Sequence, residues 1–228
     1  MKTGITFIFT LYASFAMAQF AIIEDKDNSC NVRYKAGKNE AIIDRLENGH
    51  FVYAFPNDTD WTDIDYTKDN KERNGNVYKD RLIYVTSYLK IPIIKNDSNS
   101  IKLKKDSLEI VITKQAFDKT KHKFSYYKQA NNQIQLVDKT KYWGTDGGYP
   151  KSEYKSIEVT IGQKKITLPK KAFQNLYELN LEQTQVNYDK KNDIMYIQAM
   201  NGDGAGGYEV IWKIEKGTYK ERYVAYGF

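Results

Sequence analysis

Apolar and polar positions along this chain alternate in short runs, the period of half-buried β-strands, and no stretch of useful length repeats at the helical period. His50 to Phe55 is the plainest case, with Phe51, Tyr53 and Phe55 on one face and Val52 and Ala54 on the other. Ala21-Ile22-Ile23, Ala41-Ile42-Ile43 through Leu46, Trp61 to Tyr66 and Val77 to Val85 read in the same way. Glu47-Asn48-Gly49 is expected to turn a hairpin between two of them. After a polar run at 95–100, further strands are expected at Leu108–Thr113, Phe124–Lys128, Ile134–Val137, Ser156–Ile161 and Ile166–Leu168. A closing meander runs through Ile194–Ala199, Tyr208–Ile214 and Thr218–Tyr226. One short helix is predicted after Pro169, where Ala172, Phe173 and Leu176 share a face. The pattern is that of a mainly β protein: a small barrel over 19–94, a linker at 95–100, and a second antiparallel β-rich domain with one short helix over 101–228.

The first eighteen residues follow a different logic. Lys2 precedes an apolar run from Ile5 to Phe15, and Ala16-Met17-Ala18 then supplies small residues at the positions a signal peptidase reads. The run falls short of the roughly 20 residues that a membrane span needs. Residues 1–18 are therefore expected to be a signal peptide cleaved before Gln19, leaving a mature chain without a transmembrane segment, exported to the periplasm or beyond.

Composition narrows the class. An aromatic content of 14% among 228 residues is too high for a disordered chain, and 41% apolar residues can fill a core. One Cys and two His exclude a disulfide scaffold and leave too few ligands for an ordinary zinc site. Charge is uneven: residues 19–94 carry −2, and 95–228 carry +7. The lysines behind that excess, such as Lys102, Lys104, Lys119, Lys121, Lys164 and Lys165, are scattered as on a solvated face, so no nucleic-acid partner is expected.

Asn31-Val32-Arg33, then Ile42-Ile43, Leu46-Glu47-Asn48-Gly49, Trp61 with Ile64, Gly75-Asn76-Val77-Tyr78 and Arg81-Leu82 stand in an order that resembles a bacterial SH3-type domain over about residues 20–85. The sequence departs from that pattern at Tyr34-Lys35-Ala36-Gly37 and in a charged insertion from Thr67 to Asn74. The resemblance implies a small barrel that binds a ligand, commonly in the cell envelope, and performs no catalysis. If Ile64 faces the barrel core, Trp61 faces outward with Asp63 and Asp65, either as a ligand platform or as packing that covers a barrel end or meets the second domain. Tyr34, Tyr66 and Tyr78 carry the same two readings.

Cys30 adjoins the Asn31-Val32-Arg33 strand, where a small buried side chain is ordinary. Two glycine-rich loops stand out in the second half: Trp143-Gly144-Thr145-Asp146-Gly147-Gly148-Tyr149-Pro150, and Asn201-Gly202-Asp203-Gly204-Ala205-Gly206-Gly207-Tyr208. Neither precedes a helix with Lys-Ser/Thr, as a phosphate loop requires, and one carboxylate each is too few for calcium. Trp143, Asp146 and Asp203 are nonetheless candidate ligand contacts, and no metal or cofactor is expected. Wall peptidases with SH3-type domains pair Cys with His in their catalytic part, whereas residues 101–228 contain only His122 and no Cys. The chain reads as a non-enzymatic exported binding protein engaging a peptidoglycan peptide or an envelope protein. The alternative is a periplasmic inhibitor or immunity protein acting on a hydrolase or toxin.

Overall fold

The computed structural model describes residues 18–128, 133–202 and 204–227; all but the last residue of the expected signal peptide at 1–18, and the site residue Asp203, lie outside them. The protein is mainly β. Its first seven strands are β1 (Gln19–Ile23), β2 (Ser29–Arg33), β3 (Ile42–Glu47), β4 (Phe51–Phe55), β5 (Trp61–Lys68), β6 (Lys71–Tyr78) and β7 (Leu82–Tyr84). They form one curled antiparallel half-barrel in the order β3-β2-β6-β5-β4-β1-β7. Glu47-Asn48-Gly49 does make a tight turn, with Gly49 at φ 82°. It does not close a hairpin, because β3 pairs with β2 while β4 pairs with β1 and β5.

The chain continues through β8 (Leu89–Ile91), β9 (Ile93–Asn96), β10 (Ser100–Lys105), β11 (Leu108–Ala116), β12 (Phe124–Tyr126) and β13 (Ile134–Val137). Then come β14 (Ser152–Ile161), β15 (Lys164–Thr167), β16 (Thr184–Asp189), β17 (Ile194–Asn201), β18 (Tyr208–Glu215) and β19 (Thr218–Tyr226). One five-stranded sheet has the order β19-β18-β17-β16-β8, and another β15-β14-β11-β10-β9; β12 and β13 pair by themselves. The expected meander is thus β17-β18-β19. Residues 95–100, read from sequence as a linker, are the end of β9, a turn, and the first residue of β10. Asp97 organises that turn by accepting from the backbone amides of Asn99 and Ser100 at 3.0 and 2.8 Å.

These sheets stack in three layers, with β16 to β19 in the middle. One face of the middle sheet, including Val186, Ile197, Val210 and Trp212, packs on Ile101, Leu103, Ile110, Ile112, Ile157 and Val159. The opposite face presents Tyr196, Ile211 and Ala225 to Phe20, Ile22, Phe51 and Tyr53 of the half-barrel. That second contact explains why β1 and β4 are buried on both sides. Ala21, Ile23, Val52 and Ala54 fill the half-barrel's own core, while their neighbours Phe20, Ile22, Phe51 and Tyr53 fill the seam. Each large apolar side chain buried in this way contributes about 1.5–3 kcal/mol.

The segment after Pro169 is a single 3-10 turn, Lys170–Ala172, although Ala172, Phe173 and Leu176 are buried as their spacing suggests. An α-helix needs the Ala172 carbonyl to receive the amide of Leu176. Here that carbonyl accepts instead from Trp212 Nε1 and Arg222 Nη1, both at 2.8 Å, and the Leu176 amide bonds to Phe173. Among the described residues no helix is long and apolar enough to cross a membrane.

Candidate functional site

Strand parity places the first tryptophan. Thr62, Ile64 and Tyr66 of β5 point into the half-barrel and are buried, so Trp61, Asp63 and Asp65 point away. Trp61 is the register partner of Tyr78 on β6, and the two rings meet edge-to-face with centroids 5.5 Å apart. From β2, where Val32 points inward, Arg33 lies on the outer side and sets its guanidinium 5.9 Å from the centre of the Trp61 ring. These side chains line one wall of an open cleft of about 450 Å³.

The rest of the cleft is ionic. Arg81 Nε bridges Asp25 at 3.1 Å and Asp80 at 3.2 Å. Asp25 is held in turn: its amide donates to Asn48 Oδ1 and its carbonyl accepts from Asn48 Nδ2, both at 2.8 Å. Lys38 and Asp27 complete a border carrying both signs of charge. Cys30 also lines the cleft, only 5% exposed. Burial, aided by Asp25 and Asp80 and opposed by Arg81 and Arg33, pushes its thiol up to about 11. The thiol is therefore protonated near neutrality, which suits packing and not nucleophilic attack.

The structure separates the other sequence-predicted residues. Tyr78 joins Trp61 in the cleft. Tyr34, 63% exposed, lies outside it beside its own neighbour Lys35, whose Nζ is 5.6 Å from the ring centre. Tyr66 is 1% exposed in the half-barrel core and donates from its hydroxyl to the Asp44 carboxylate at 3.1 Å, so it offers no ring face to a ligand. Lys68 and Arg73 bind the same carboxylate at 2.5 and 2.8 Å. Although burial of Asp44 works the other way, hydrogen bonds from Lys68, the Arg45 amide and Tyr66 hold its carboxyl below the usual range.

The glycine-rich loops meet each other. A Cβ on Gly206 would sit 2.6–2.7 Å from the Thr145 backbone, so only glycine permits that approach. Gly144, at φ 116°, lies equally tight under the Tyr177 backbone. Trp143 is half-buried at this junction. Lys141 Nζ lies 4.8 Å from its ring centre, Tyr226 packs against it with centroids 4.8 Å apart, and Tyr208 lies beneath at 6.1 Å. Lys141 also reaches the Tyr226 hydroxyl at 2.9 Å and Glu72 of the half-barrel at 3.5 Å. Asp146 is exposed on the same loop.

Sequence reasoning missed the charged half of the cleft, Asp25, Asp80 and Arg81, and the environment of His122. That ring stacks on Phe117 at 4.5 Å, with Nδ1 2.7 Å from Asp138 and Nε2 3.3 Å from Glu153. Carboxylates thus face both ring nitrogens and fix the orientation of the ring. Among the described residues no group of three or more His, Cys, Asp or Glu is placed to hold a metal ion. Comparison with protein-family models, curated proteins and solved structures finds no match for this chain.

Proposed function

We propose that this chain is an exported envelope-binding protein whose half-barrel acts as an SH3-like ligand module, engaging a peptidoglycan peptide or a peptide segment of an envelope protein at the Trp61 cleft. The observation that carries the reading is the joining of the Trp61–Tyr78 wall to Arg33, Arg81, Asp25 and Asp80 in one open cleft. An aromatic wall supplies contact area, and a border bearing both charges suits a short peptide that itself carries ammonium and carboxylate groups. Purified peptidoglycan and envelope extract, each presented to the immobilised chain, test it. Retention of wall fragments by the native chain and their loss in Trp61→Ala is the expected result. Capture of a single hydrolase or toxin in their place would replace the wall module with an inhibitor.

A further inference from the structure

A second groove opens along the seam between the half-barrel and the middle sheet, with a volume of about 650 Å³. Its floor is the seam face of that sheet one step beyond the dry contact. Tyr196 and Ile211 are buried against the half-barrel, and Gln198, Met200 and Glu209 follow on the same face at alternating positions. Cross-strand register sets Gln185 beside Gln198, and Met200 beside Glu209. Gln19 and Thr86, joined by a 3.0 Å hydrogen bond, form the opposite wall.

Three features of this groove ask for a ligand. Met200 is 39% exposed, an apolar side chain left open beside a seam that buries its neighbours. Gln185, exposed at the register position of Gln198, presents an amide donor and acceptor of the kind that a peptide main chain requires, while Gln198 Nε2 is engaged with Asn187 Oδ1 at 3.2 Å. Among the described residues, Glu209 is the one acidic or basic side chain that lines the groove. Burial raises its carboxyl pKa, opposed only in part by the hydrogen bond that Tyr53 donates to its Oε1 at 2.8 Å, and no cation among the described residues pairs with it. A half-buried carboxylate without a counter-charge carries a desolvation cost, and a cation delivered by a ligand would offset it.

We propose that this seam groove binds an extended peptide segment and receives one basic side chain of that segment at Glu209. The site is separate from the Trp61 cleft, with which it shares no lining residue.

Calorimetric titration of the full chain tests this, using an acetylated, amidated Ala-Ala-Lys-Ala-Ala peptide and its norleucine counterpart, which keeps the shape and lacks the charge. The lysine peptide is expected to bind about tenfold more tightly. Glu209→Gln, which retains an acceptor for Tyr53, should abolish that preference. Met200→Lys, which sets a cation of the chain itself beside Glu209, should block the lysine peptide while the melting temperature reports an intact fold. Trp61→Ala should leave the titration unchanged. Equal binding of the two peptides, no binding of the lysine peptide at millimolar concentration, or loss of binding in Trp61→Ala alone would each overturn the assignment.

Discussion

The half-barrel and the loop junction each hold a tryptophan with a cation near its ring and a tyrosine against its edge, yet the two settings differ in what they leave open. Around Trp61 the cation is Arg33 at 5.9 Å, the tyrosine is its strand partner Tyr78, and a cleft of about 450 Å³ stands in front. Around Trp143 the cation is Lys141 at 4.8 Å, tied to Tyr226 and to Glu72, and two glycine loops close beneath it. Residue type is therefore a poor guide to a binding site. An aromatic ring is available to a ligand where strand parity turns it out beside an open cleft, as at Trp61; Trp143 is committed to packing against Lys141, Tyr208 and Tyr226.

The sharpest way to break this contrast is at the closed side. Gly206→Ala would press a methyl group into the Thr145 backbone, where no flexible side chain can move aside. A loss of about 3 kcal/mol in urea unfolding is expected, with the Trp61 cleft unchanged in the residual folded chain. Alanine at Gly148, where a Cβ meets nothing within 4 Å, serves as the control and should cost far less. If Gly206→Ala unfolds no more readily than Gly148→Ala, the two loops do not pack as described.

Exchanging the tryptophans one at a time sharpens the comparison. Trp143→Ala should cost about 2 kcal/mol of stability, below the range for a fully buried ring, and lower the melting temperature by about 5 °C. Trp61→Ala should leave melting nearly unchanged and weaken ligand binding by about 2 kcal/mol, a factor of roughly thirty in Kd. The reverse pattern, stability lost at Trp61 and affinity lost at Trp143, would move the site to the loop junction.

Parity made much of this legible in the sequence. The alternation from Thr62 to Tyr66 fixes Ile64 inward and Trp61 outward, and it also turns Tyr66 inward with Ile64, which removes that tyrosine from any surface. The double-sided burial of β1 and β4 is visible as runs with no polar face, Phe20-Ala21-Ile22-Ile23 and Phe51-Val52-Tyr53-Ala54. Long-range pairing was not legible. Nothing local tells that Leu89–Ile91 extends the middle sheet while Ile93–Asn96, one proline later, extends the outer one. Nor does any spacing announce that Asp138 and Glu153 clasp His122, or that Lys141 reaches Glu72 across 69 positions of sequence. Such contacts depend on how sheets stack, and a period-two pattern carries no information on stacking.

The smallest expected effect concerns Cys30, at the inner wall of the open cleft, and it decides whether that cleft works by contact or by thiol chemistry. The side chain is 5% exposed, its Sγ lies 3.4 Å from the Asn31 carbonyl oxygen, and its pKa is raised to about 11, first by burial and then by Asp25. A group whose folded pKa lies above its unfolded one is held protonated by the fold, so stability declines as pH rises through the unfolded thiol range toward 11. Cys30→Ser should remove the thiol's share of that alkaline slope, leaving the share of the buried tyrosines, and cost about 1 kcal/mol at neutral pH, because a hydroxyl replaces an apolar group in a buried place. Affinity for the cleft's ligand should not change. The same argument applies to reactivity: iodoacetamide should label the native chain slowly at pH 8, and the rate should climb with a midpoint displaced toward 11, while the urea-unfolded chain reacts with an ordinary thiol profile. Rapid labelling of the native chain at pH 8, together with lost function in a stably folded Cys30→Ser, would mark the open cleft as a reactive site and replace the aromatic wall as the basis of the contrast with Trp143.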